Sequence, residues 1–415
     1  MAENKVSGWS VFTNRRIAVT LLLMFSSSFP LPLTGTGTTF QAWLKDSHVD
    51  IRTISLMSLV GLPYNFKFLW SPLLDRYHLP FLNRRTGWIA LFQVLLIITI
   101  GSMGFINASE ATGMVVFVAF MIAFFSASQD VVIDAYRIDI LRAEERGAGA
   151  SMVMIGGRLA FLTAGALALV LADHLPWHQV FMVMAACLLI GLLTSIFSPN
   201  PEVPVEEPKS LKQAVVEPFV SFFKTPGAGY VMAFLVTYKL ADLLASALLT
   251  PFLLEVGFAK TDIGAVNKVF GMLSAMAGGL VCGAVIPKFG VYRSLWVFGL
   301  LQAASNFVFV GLALHGHSYP WMVAAIGVEN FCGGMGTAAL VAYIMSLCDR
   351  RFSATQFALL SSLTATARTV FASGTGFAAN YLGWPKYFFF AALCAAPGLW
   401  LLSKLRNLDE TPSTP

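Results

Sequence analysis

Charged side chains are scarce in this sequence. They supply 12% of its 415 residues, about half the share of an ordinary soluble protein, while 57% of the residues are hydrophobic. A chain so poor in charge cannot hide its apolar surface in a water-soluble core, which excludes a globular soluble domain. Cysteine is also sparse: Cys187, Cys282, Cys332, Cys348 and Cys394 stand singly, with no CxxC pair, so neither a disulfide framework nor a thiolate metal site is expected. Among the six histidines, His174 and His178 flank Pro176 and cannot share one regular helical face, while His315 and His317 lie in another loop. No metal and no cofactor is therefore expected. HExxH, GxSxG and GxxxxGK(S/T) are absent, so an intramembrane hydrolase and an ATP-driven pump lack their motifs. The chain is not expected to be an enzyme, and any uphill work it does must draw on a gradient.

What the sequence has instead is a series of long apolar runs between Ile17 and Leu402, each able to cross a hydrocarbon layer of roughly 30 Å as a helix. The first, Ile17 to Phe40, is longer than a signal-peptide core and is interrupted by Pro30 and Pro32, so it reads as a retained span. Cutting at polar and turn-rich stretches gives an all-α membrane protein of twelve transmembrane helices, at about 16–43, 53–74, 87–107, 112–138, 147–172, 178–198, 227–255, 262–287, 292–314, 319–347, 353–382 and 385–404. Of the 27 Lys and Arg, only Lys45, Arg52, Lys260 and Lys386 fall in the loops on one side. The other side carries Arg15, Arg16, Arg84, Arg85, Arg350, Arg351 and most of the rest. By the positive-inside rule that side, with both termini, is cytoplasmic. The same distribution accounts for the net charge of +5 without a nucleic-acid partner; the partner implied by the apolar runs is the lipid bilayer.

The longest polar interruption, "SPNPEVPVEEPKSLKQAVVEP", is rich in Pro and charge and reads as a cytoplasmic linker. It divides the chain into a six-helix half at 1–198, a linker at 199–224, and a second six-helix half with a short tail at 225–415. The halves resemble each other where charged turns meet small residues: "RAEERGAGASM" follows span 4 and "CDRRFSATQFA" follows span 10. Two such halves are the mark of a secondary transporter built from repeats, although any twelve-span protein shows some likeness between halves.

Nine ionisable side chains remain inside the spans: Lys67, Asp130, Asp134, Arg158, Lys239, Asp242, Lys268, Glu329 and Arg368. Each would cost roughly 2.5–3.5 kcal/mol facing lipid at mid-helix, so they must face protein or water. Asp130 and Asp134, at i,i+4, share one face of span 4 with Gln129 beside them. Two carboxylates so close, partly desolvated, suit a proton-coupled carrier, because one of them must take up a proton or borrow a cation. The alternative for Asp134 is a solvated helix end with Arg137 and Asp139, and for Asp130 a purely structural ion pair. Lys67, at similar depth on span 2, is the natural counter-ion, unless its stem snorkels to the interface. Lys239 and Asp242 are spaced i,i+3 and can form a local pair. Glu329 precedes Asn330 and the glycines Gly333, Gly334 and Gly336, which favour close helix packing. Arg158 and Arg368 occupy corresponding helices of the two halves, positioned either to grip an anion or to lock onto Asp130 or Glu329.

"GLPYNFKFLWSPLLDRY", "SASQDVVIDAYRIDILRAEERGAGAS", "VNKVFG", "LQAASN" and "VENFCGGMGTAALVAYIMSLCDRRFSATQFALLSS" are similar to the corresponding stretches of the muropeptide permeases (AmpG type) of the major facilitator superfamily, over nearly the whole chain. The resemblance implies the major facilitator fold and a monomer in a bacterial inner membrane. It implies import of GlcNAc-anhydro-MurNAc peptides with protons for peptidoglycan recycling, a process tied to β-lactamase induction. Spans 1, 4, 7 and 10 would line the cavity, with Asp130 and Asp134 in proton coupling. Lys67, Arg158, Lys239 and Arg368 would meet substrate carboxylates, alongside Gln129, Asp242, Glu329, Asn330 and, near the outside mouth, Gln41. Tyr64, Tyr136 and Tyr238 would take up sugar faces or hydroxyls. "DRYHLPFLNRR" is similar to the superfamily's basic gating loop, in which Asp75, Arg76, Arg84 and Arg85 would pair across the cytoplasmic gap; the insertion "HLPFL" breaks the usual short spacing. Two other functions fit the same residues: a carrier of another anionic metabolite such as an acyl-CoA, and a channel or receptor without alternating access.

Overall fold

In lipid a backbone N–H or C=O has no partner but another backbone group, so long apolar runs close their hydrogen bonds internally. The computed structural model describes residues 10–35, 37–49, 57–201, 210–224, 227–373 and 375–409, and its regular elements are all helical. In the first half they are α1 (Arg15–Ser28), α2 (Thr38–Asp46), α3 (Ser71–Arg76), α4 (Thr86–Met103), α5 (Thr112–Ile140), α6 (Arg146–Phe161), α7 (Ala168–Ala172), α8 (Trp177–Cys187) and α9 (Leu189–Phe197). A connecting helix α10 (Leu211–Lys224) leads to α11 (Ala228–Thr237), α12 (Leu240–Ala247), α13 (Leu249–Val256), α14 (Gly271–Phe289), α15 (Val291–His315) and α16 (Tyr319–Leu347). The chain closes with α17 (Ser353–Ser373), α18 (Thr375–Leu382), α19 (Trp384–Leu393) and α20 (Ala396–Asp409).

Among the described residues ten helical stretches are long and apolar enough to cross a membrane, two fewer than the twelve expected. Prolines and hydroxyls account for the difference. Of the stretch expected at 53–74, residues 53–56 lie outside the described residues; in the rest, Pro63 and Pro72 open the short helices Leu62–Phe66 and α3, and the chain advances in brief turns. The stretch expected at 353–382 is helical as α17 and α18, but "SATQFALLSSLTATARTVFAS" carries too many hydroxyls to register as a lipid-like segment. The first span is broken as its prolines predict: α1 ends, a single turn carries Leu31–Leu33, and α2 resumes after Gly37. A Cβ at Gly37 would lie 2.3 Å from the Pro32 carbonyl oxygen, so only glycine fits this corner. The span 228–256 is also interrupted, at Lys239 and again at Leu248, one turn before Pro251.

The chain before α10 and the chain after it repeat each other around α5 and α16. α5 and α16 are both 29 residues long. Each is followed by a three-residue 3-10 turn, Ala143–Glu145 or Arg350–Phe352, and then directly by the next helix. The expected glycine packing is present: a Cβ at Gly278 or Gly334 would sit 2.0 or 2.2 Å from a backbone oxygen of the facing helix, so α14 and α16 touch backbone to backbone.

The apolar core decides the shape. One buried cluster joins both halves, from Ile17, Val131 and Ile155 in the first to Phe234, Cys282, Ala339 and Phe357 in the second. All of it lies toward the face that carries the basic turns. Toward the opposite face the core splits: one cluster, including Phe40, Ile100 and Phe181, belongs to the first half, and another, including Phe252, Phe309 and Phe388, to the second. Among the described residues the halves are therefore fused at the basic face and separate toward the other.

Gly334→Val should lower thermal stability by about 1–3 kcal/mol, because the branched side chain forces α14 and α16 apart. Gly113→Ala, where a Cβ meets nothing within 4 Å, should leave it unchanged or slightly raised; differential scanning fluorimetry in detergent reads both.

Candidate functional site

Between the halves lies a cavity of about 750 Å³, lined from the first half by Ser28, Lys67, Asp130, Asp134, Arg137 and Arg158 and from the second by Lys239, Asp242, Asn267, Glu329, Asn330 and Thr337. The charges that the sequence leaves stranded in the membrane converge here, as their desolvation cost requires. In the first half Lys67 Nζ lies 2.5 Å from Asp130 Oδ2, and Ser27 Oγ donates to Asp130 Oδ1 at 2.6 Å. One turn on, Asp134 pairs with Arg137 at 2.9 Å; both are buried, so Asp134 is not a solvated helix end. The Arg137 guanidinium also lies over the Phe357 ring of the second half, 5.0 Å from its centroid.

In the second half Lys239 Nζ pairs with Asp242 Oδ2 at 2.9 Å and donates to the Gly333 carbonyl at 3.2 Å. Glu329, on α16, is buried one turn before Gly333, which the Asp242 carboxyl approaches, and lines the same cavity. Gly333 and Gly336 create the room for this cluster. A Cβ at Gly333 would come 2.9 Å from Asp242 Oδ1, and one at Gly336 would come 2.7 Å from Gln302 Oε1.

Below the cavity, at the basic face, a second network crosses between the halves. Asp75, fully buried at the end of α3, accepts from Thr355 N (2.9 Å), Thr355 Oγ1 (2.7 Å) and Ala354 N (3.3 Å) of the other half. It thus places a carboxylate at the positive N-terminus of α17, where unpaired backbone donors point. Arg85 binds Asp75 at 2.7 Å, Asp139 at 3.1 Å and Ser353 Oγ at 3.0 Å, and Ser353 Oγ donates to Asp139 at 3.0 Å. Burial works against the charge on Arg85, but Asp75 and Asp139 more than offset it and hold its pKa above the ordinary value. Arg84 donates to the Arg351 carbonyl at 3.1 Å across the same seam.

Other expected residues sit elsewhere. Tyr136 donates to the Pro199 carbonyl at 2.6 Å and Tyr238 to the Leu295 carbonyl at 3.0 Å; both are buried and neither borders the cavity, since their hydroxyls are used to tie helices together. Tyr64 donates to Ser126 Oγ at 2.7 Å behind the cavity wall. Gln129 is buried outside that wall, its amide without a hydrogen-bond partner among the described residues. Gln41 is half-buried on α2, also away from the cavity. Arg76 stacks on Tyr77, 5.6 Å from the ring centroid. The side chains of Lys268 and Arg368 lie outside the described residues. The sequence reading did not single out Arg137, Asp139, Ser353 and Thr355 as site residues. "DAYRIDI" looked like a charged helix end, and only the register of α17 against α5 turns it inward.

Residues 16–314 match the model of the Major Facilitator Superfamily. The chain is 43% identical over 402 residues to the anhydromuropeptide permease of Escherichia coli K12, covering 96% of this chain and 82% of that protein. It is 31% identical to putative transporter AmpG 4 of Rickettsia felis, covering 96% and 98%. Its fold is similar to that of the proton:xylose symporter XylE, with a TM-score of 0.68 at 10% identity, over 95% of each chain.

Asp75→Ala removes the carboxylate that joins Arg85 to α17, and losing one partner of such a buried network costs about 3–5 kcal/mol. In a background without native cysteines, a cysteine at Ser361 in the cavity wall should then react at least about tenfold faster with a membrane-impermeant maleimide applied at the basic face. An unchanged rate places the closure elsewhere.

Proposed function

This chain belongs to the Major Facilitator Superfamily and, within it, to the anhydromuropeptide permease family, and on that premise we propose that it imports anhydromuropeptides, GlcNAc-anhydro-MurNAc peptides, from periplasm to cytoplasm together with protons. The observation that carries the reading is the charged cavity, walled by both halves and, among the described residues, sealed at one face only. In this reading the chain forms twelve spans in two six-helix halves, with halves at 1–198 and 225–415 and a linker at 199–224. The short helices around Pro63 and the α17–α18 pair supply the two spans that length and hydropathy leave out. The basic face, with both termini, is cytoplasmic, and the membrane is the bacterial inner membrane. The conformation is then closed to the cytoplasm and accessible from the periplasm, the state that receives an imported substrate.

An anhydromuropeptide is bulky, polar and anionic. Its carboxylates compete with Asp130 and Asp134 for Lys67 and Arg137, while Arg158 and Lys239 supply further positive charge around the cavity. Asn330 and Thr337 offer groups for sugar and peptide amides. Protonating Asp130 or Asp134 from the periplasm removes one competing anion, so a proton and an anionic substrate favour each other's binding, which is the thermodynamic content of symport. α5 then links cargo to gate. It carries Asp130 and Asp134 in the cavity and Asp139 in the seal, so its movement on loading bears on the Arg85–Ser353 contacts, and the halves rock about the site.

Proteoliposomes should accumulate labelled anhydro-disaccharide peptide when the side opposite the basic face is made acid, and a protonophore should collapse the gradient. Failure of the labelled peptide to enter, with entry of an acyl-CoA instead, would overturn the substrate assignment. Asp130→Asn should cut gradient-driven accumulation by at least about tenfold, with the protein still folded; wild-type accumulation that still responds to the protonophore would remove Asp130 from coupling.

A further inference from the structure

The two halves do not handle their buried carboxyls in the same way. In the first half each carboxylate has a cation of its own: Asp130 has Lys67 and Asp134 has Arg137. In the second half, among the described residues, one ammonium, Lys239, serves two carboxyls: it pairs with Asp242, and Glu329, buried one turn before Gly333 on α16, borders the same cavity beside them. With a single described cation for two buried carboxyls, this pair is arranged to hold a proton, whereas Asp130 and Asp134 each have a cation of their own.

The surroundings preserve this pair. Gly333 and Gly336 leave the face of α16 bare, so that the Asp242 carboxyl sits directly against the helix. The Gln302 amide of α15 lies beside the same opening, its nitrogen and oxygen without a hydrogen-bond partner among the described residues. Gln302 is 3% exposed. A buried neutral amide accommodates a carboxyl in either protonation state, which an additional cation would not. The other titratable or charged groups facing the pair are Cys332 on α16, next to Glu329 in charge interaction, and Arg158 of α6 across the cavity. Lys268 lies on the adjoining segment, with its side chain outside the described residues.

Depth separates the two carboxyl groups. Counting from the basic-face ends of α5 and α16, Asp130 lies ten residues in, roughly 15 Å, and Glu329 eighteen residues in, roughly 27 Å. Glu329 is thus nearer the open face of the cavity.

We propose that Asp242 and Glu329 form a second proton-binding site of the transport cycle, carried by the second half, nearer the open face and separate from Asp130 and Asp134. A proton arriving from the open face meets this pair before it meets α5. Loss of the bound proton leaves two carboxylates against one ammonium, which holds Lys239 tightly; regaining it frees Lys239 to engage a substrate carboxylate. This rests on the import reading above.

The test is the number of protons entering per molecule of anhydro-disaccharide peptide, measured in proteoliposomes with an internal pH dye, for wild type, Glu329→Gln and Asp242→Asn. Both variants should carry fewer protons per substrate than wild type, by about half where two sites each carry one; an unchanged ratio overturns the proposal. A wild type that takes up no peptide at all sinks the import reading instead. Should either variant fail to transport, infrared difference spectroscopy of the purified protein decides: the proposal requires a protonated-carboxyl band at neutral pH that disappears in Glu329→Gln, and absence of that band in wild type rejects it.

Discussion

A charge at bilayer depth is tolerated only against another charge or beside water, and this constraint organises the whole molecule. Its ionisable side chains are spread over helices far apart in sequence, yet Lys67, Asp130, Asp134, Arg158, Lys239, Asp242 and Glu329 all border one cavity. No lipid-facing arrangement of those residues would be stable, so part of the surface along which the two halves meet is polar. The apolar residues then pack where the charges are not. They form a shared core at the basic face and separate cores toward the other, and the cavity is the gap this leaves.

The seal at the basic face uses the same physics with a different result. Asp75 meets the N-terminus of α17, and Arg85 bridges Asp75, Asp139 and Ser353, so each charge is matched by a partner across the seam. Removing one member of such a buried network leaves its partners uncompensated, which is costly. Because Asp130, Asp134, Arg137 and Asp139 all ride on α5, events in the cavity and events in the seal share one rigid element. The Arg137 guanidinium, paired in the cavity wall with Asp134 and stacked on Phe357 of the other half, stands at the junction.

The membrane class and most spans were legible because uncharged apolar runs of 18 residues or more have few alternatives. Where the spans depart from that pattern, the causes are local: Pro63 and Pro72 break one, and the hydroxyl-rich run of α17 hides another. The cavity charges were legible for the same reason, as residues too expensive to leave in lipid. Their partners were less so. The Lys67–Asp130 pair could be expected from depth alone, whereas the Arg137–Asp134 pair depends on burial that a nearby helix end disguises. Tyr136 and Tyr238 were misplaced because an aromatic hydroxyl suits a sugar and a buried carbonyl equally, and only the packing of Pro199 and Leu295 decides between them.

The central claim is that the charged cavity opens to one face at a time. It is tested most directly by electron–electron distance measurements on two pairs of spin labels, one pair at Asp173 and Tyr319 on the open face and the other at Phe81 and Phe289 on the basic face. On adding anhydromuropeptide at acid pH, the account predicts that the first distance shortens as the second lengthens. Two distances that stay fixed, or that lengthen together, would contradict it.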